Sequence, residues 1–73
     1  MRDIHVIAHE IASDWKKPNY AALPYLDAMY SLSSINDTYG FDSGRGIVAY
    51  FLCNAGAWRG DTAKRIKAEL KSL

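Results

Sequence analysis

Residues 42–56 read DSGRGIVAYFLCNAG, and the state of IVAYFL within them decides the fold. Its β-branched and aromatic residues suit a buried strand. Fifteen residues are long for a strand, however, and Asp42 or Ser43 stands where a helix N-cap belongs. Val48, Phe51, Leu52 and Ala55 then share one face, and Ile47 and Tyr50 widen it. The spacing predicts a helix over 43–56, apolar around most of its circumference, the pattern of the central member of a bundle.

Working outward, the next stretch aligns Ala63, Ile66, Leu70 and Leu73 on one face of a helix over 60–72, with Lys64, Lys67 and Lys71 on the opposite side. Upstream, Ala22, Tyr25, Leu26, Met29 and Leu32, with Tyr30 beside them, predict a helix over 22–34. Pro24 belongs in its first turn, where the missing amide hydrogen would be unpaired anyway. The N-terminal stretch places Ile4, Ile7, Ala8, Ile11, Ala12 and Trp15 on one stripe, a helix over 3–16 that starts near Asp3 and ends before Pro18. The expected fold is all-α: one domain over 1–73, a compact bundle of four short helices.

A chain of 73 residues buries only about 60% of its unfolded surface, so its aromatic residues must supply much of the core. Small secreted domains of this size depend on disulfides, and Cys53 is the sole cysteine, which points to a reducing, cytoplasmic setting. His5, His9, Glu10 and Asp14 interrupt the N-terminal apolar run, so it does not read as a signal peptide. No stretch has the uninterrupted apolar length of a membrane span. Net charge is +1 but uneven: residues 1–42 carry three cations against six carboxylates, net −3, and residues 43–73 carry six against two, net +4. Such a polarity orients a partner without by itself indicating nucleic acid.

Two long stretches, IASDWKKPNYAALPYLDAMYSLSSINDTYG (11–40) and IVAYFLCNAGAWRGDTAKRIKAEL (47–70), carry a resemblance. The chain resembles a family of short proteins encoded in phages, prophages and plasmids of Gram-positive bacteria. Its most distinctive blocks are DWKKPNYAALPYLDAM and the segment around AWRGD. Similar proteins often have glutamate where this chain has Asp61. The resemblance implies a mobile-element context and assigns no activity, cofactor or site residue.

The chemical motifs are thin. Arg59-Gly60-Asp61 matches an adhesion tripeptide, but short strings recur by chance, and here Gly60 opens a turn and Asp61 caps or neutralises the start of the last helix. His5 and His9 have the i, i+4 spacing of paired metal ligands, yet no third and fourth ligand is evident, and both fall at the edge of the apolar stripe. Cys53 lies inside IVAYFLCNA, where it reads as a small buried hydrophobe with no oxyanion donors or orienting carboxylate nearby. The Asp37–Gly40–Asp42 loop lacks the closing glutamate of a calcium loop and reads as a capped turn. Gly44 and Gly46 lack the Lys-Ser/Thr that completes a phosphate loop.

These absences predict a non-enzymatic protein without metal or cofactor that binds an unknown macromolecule, a protein ahead of a nucleic acid. Val6, Tyr20 and Tyr39 are its candidate protein-binding surface, with Trp15 and Trp58 assigned to the core. The alternative is DNA binding through the last helix in a helix-turn-helix-like arrangement, with Arg59, Lys64, Arg65, Lys67 and Lys71 facing the polyanion. Asp61 and Glu69 on the same segment count against it.

Overall fold

Residues 44–53 form a helix because their first turn is satisfied from outside as well as within. The Gly46 amide donates to Ser43 Oγ at 3.0 Å, the Gly44 amide to the Asp37 carbonyl at 2.7 Å and the Arg45 amide to the Ile35 carbonyl at 3.0 Å. Three of the four donors that a helix start leaves unpaired are thereby used. The structure, a computed structural model describing residues 2–73, thus resolves IVAYFL as helix and makes Ser43 the N-cap.

The elements run α1 (Ile4–Asp14), α2 (Leu23–Met29), β1 (Thr38–Tyr39), β2 (Asp42–Ser43), α3 (Gly44–Cys53) and α4 (Asp61–Lys71). The fold is mostly helical but not strictly all-α. β1 and β2 pair antiparallel, Thr38 opposite Ser43 and Tyr39 opposite Asp42, about a tight turn at Gly40, whose φ of +64° is easiest for glycine. The expectation of an all-α bundle with only a capped turn here missed this hairpin, which is too short for an alternating pattern to register.

The second helix is shorter than the expected 22–34, for a tertiary reason. The Ser33 and Leu32 carbonyls accept from the Ile4 and His5 amides at 3.1 and 2.8 Å. Chain that would have extended α2 instead caps the start of α1. Asp3 occupies the N-cap position of α1, but its side chain makes no capping bond; its carboxylate lies 3.2 Å from His5 Nε2. α4 starts from Gly60 at φ +113°, with Asp61 in its first turn. Asp61 therefore complements the helix dipole rather than capping it.

The four apolar stripes converge. Ile7, Ile11, Met29, Leu32, Phe51 and Ile66 are fully buried in one cluster. Trp15 and Trp58 stack in it with centroids 5.8 Å apart, and Phe51 meets both edge-on. Among the described residues no polar or charged residue is buried, and no helix is long and apolar enough to cross a membrane.

Candidate functional site

The hairpin and the start of α3 expose aromatic residues that the bundle does not absorb. Phe41 follows the positive-φ Gly40 at the hairpin tip, so its ring leaves the core altogether and is fully exposed. Tyr50 is 58% exposed on α3 and stacks on Tyr25 of α2, centroids 5.5 Å apart and planes 24° from parallel. Together with Asp42, Ser43, Gly46 and Ile47 these rings line an open hollow of about 580 Å³. Its lining combines these three rings with the polar groups of Asp42 and Ser43.

The sequence reading placed Tyr50 on the widened core face, and the structure corrects this: Ile47 is buried, while Tyr50 points outward. The sequence signal for Phe41 is a large apolar residue inside the turn-forming TYGFDSG, outside every helical stripe. Of the expected protein-binding residues, Val6 on α1, Tyr20 before α2 and Tyr39 on β1 are each exposed. They stand on three separate elements. Among the described residues neither Tyr20 nor Tyr39 stacks on another ring; Tyr39 shares the hairpin with Phe41.

The basic residues of the last segment divide into two sets. Arg65 pairs with Glu10. Glu10 also accepts from Arg2 Nη1 at 2.7 Å, and Arg2 in turn holds both Glu69 oxygens, at 3.0 and 2.5 Å. This four-residue network ties the segment before α1, α1 and α4 together. Hydrogen bonds from Arg65 and Arg2 hold the Glu10 carboxyl below its usual range, and that from Arg2 does the same for Glu69. Lys67 donates to the Trp58 carbonyl at 2.6 Å and lies over the Trp58 ring, 5.8 Å from its centroid. Partial burial, then the nearby Lys71 and Arg59 charges, push its pKa down. Arg59, Lys64 and Lys71 are exposed and outside any ion pair among the described residues.

His9 lies against Tyr30, ring centroids 4.9 Å apart, at the edge of the α1–α2 contact, so Tyr30 belongs to that rim rather than to the core. Among the described residues no three His, Cys, Asp or Glu side chains cluster as a metal site. Asp37 Oδ2 accepts from the Ser33 and Ser34 amides at 2.8 and 3.1 Å, which makes the acidic loop a capped turn. Cys53 is exposed, against the expectation that it is buried: it ends α3 on the side away from Phe51. Comparison with known families, curated proteins and solved structures finds no match.

Proposed function

We propose that this chain is a non-catalytic protein-binding module, of phage or prophage origin and acting in the cytoplasm, whose contact surface is the aromatic face around Phe41. The observation that carries the reading is Phe41 itself, fully in water on a turn fastened by backbone pairing. Burying such a side chain is worth about 1.5–3 kcal/mol, a gain that the isolated fold leaves unrealised. Tyr50 and Tyr25 extend the patch, and aromatic anchors in a recess are the usual centres of binding energy at protein interfaces.

The DNA-binding alternative draws less support. Groove readers present cations free to reach phosphates, whereas Arg65 is engaged by Glu10 and Lys67 by the Trp58 carbonyl. Glu69 faces Arg2 within the same network.

A photo-crosslinking amino acid placed singly at Phe41, Tyr50 or Lys64 tests the proposal in producing cells. Protein adducts from positions 41 and 50 and none from 64 are expected. Adducts from position 64 alone, or retardation of duplex DNA that weakens with salt and is lost in a Lys64→Gln, Lys71→Gln variant, would favour the polyanion reading instead.

A further inference from the structure

The hollow beside Phe41 has a chemistry more specific than an apolar groove. Tyr25 and Tyr50 stack on each other beside it, Phe41 is fully exposed at its lining, and Asp42 is the one charged side chain among the described residues that line it. No ion pair occupies that carboxylate among the described residues. Arg45, the nearest cation in sequence, lines a different hollow with Ile35, Val48 and Leu52. The amides of the first turn of α3 already have acceptors in Ser43, Asp37 and Ile35, so their partial positive charge is covered.

We propose that this hollow takes the cationic side chain of a lysine or arginine on a basic segment of the protein partner. The inference rests on the reading of this face as the protein-binding surface. Three observations favour a cation over other occupants. Aromatic faces attract cations through the negative potential of the ring. A neutral apolar chain seated here would desolvate Asp42 without a partner, which is costly, and an acidic chain would meet like charge.

The test titrates ¹⁵N-labelled protein with three acetylated pentapeptides, Ala-Ala-X-Ala-Ala amides with X lysine, arginine or norleucine, to about 10 mM, a range suited to contacts this small. Saturable shifts at the Phe41, Asp42, Gly46 and Tyr50 amides are expected with the two cationic peptides. The norleucine peptide should bind at least about threefold more weakly, the difference that one exposed cation–π contact makes. Asp42→Asn should narrow that preference, by removing the carboxylate and keeping the rings, and Phe41→Ala should weaken all binding, with resonances of α1 and α4 unmoved in both variants. Equal binding of the norleucine peptide would overturn the cation inference and leave the protein-binding face intact. Absence of saturable shifts with every peptide would overturn the inference, while crosslinking at position 41 separately judges the face. Shifts of the same amides on concentrating the protein alone would make a second copy the occupant and overturn it as well.

Discussion

The indole Nε1–H of Trp58 donates to Oδ2 of Asp14 at 2.8 Å, fastening the loop between α3 and α4 to the last turn of α1 across 44 positions of sequence. Trp58 is otherwise buried against Trp15 and Phe51, so its polar end depends on this acceptor. Asp14→Ala should cost about 1–2 kcal/mol through the unpaired donor, and Asp14→Asn, which keeps a carbonyl acceptor, clearly less. Urea midpoints measure the loss, and an upfield move of the Trp58 indole proton identifies its cause.

Acid should weaken the fold through the Arg2 network. Glu10 and Glu69 titrate below their ordinary value of 4.5 in the folded chain. A carboxylate with a depressed folded pKa stabilises above its unfolded value, and the contribution is lost as pH falls through the folded one. Stability should therefore decline from about pH 4.5 downward. A Glu10→Gln, Glu69→Gln variant, less stable at neutral pH, should show a flatter acid limb in thermal melts recorded from pH 7 to pH 2. An equally steep limb would remove the network from the explanation.

Glycine replacements should separate three backbone situations. A Cβ at Gly44 would lie 2.8 Å from the Ser34 carbonyl oxygen and 3.0 Å from that of Asp37, backbone atoms engaged by the Asp37 and Gly44 amides respectively, so that yielding breaks the turn or the α3 cap. Gly44→Ala should cost about 2–3 kcal/mol, the scale of core overpacking. Gly60 has open space but a φ of +113°, so Gly60→Ala should cost about 1–3 kcal/mol in strain alone. Gly56 has neither constraint, and Gly56→Ala should stay within about 0.5 kcal/mol. Denaturant midpoints of the three variants check the order.

Most of the core was legible in the sequence because 3.6-residue periodicity is a local property. Ile7, Met29, Phe51 and Ile66 each head an apolar stripe, and each is buried. The boundaries were less legible, since the end of α2 is set by the Ile4 and His5 amides, some thirty residues earlier, reaching for the Leu32 and Ser33 carbonyls. No window along the chain contains that competition. The candidate site suffered from the same blindness. Tyr25 and Tyr50 fit their helical stripes well enough to pass as core, and only the packing of α2 on α3 shows them stacked at the rim. Phe41 lies outside every periodic segment, so it had no pattern to depart from.

Exposure also predicts how mutations divide between folding and binding. Phe51→Ala should cost about 3–5 kcal/mol, since it empties the centre of the core. Phe41→Ser should change stability by less than about 0.5 kcal/mol yet abolish crosslinking through position 50. Thermal melts and crosslink yields on the same preparations make the comparison.

The two phenylalanines, Phe41 and Phe51, are the only ones in the chain, and they occupy opposite extremes of exposure. Labelling both with 4-fluorophenylalanine gives a two-line fluorine spectrum, assigned with Phe41→Leu, that reports the surface and the core at once. In the free protein the Phe41 line should shift between H₂O and D₂O while the Phe51 line does not; inside producing cells the Phe41 line alone should broaden or move. A Phe41 line blind to solvent, or one left unchanged in cells while the Phe51 line moves, would contradict the account.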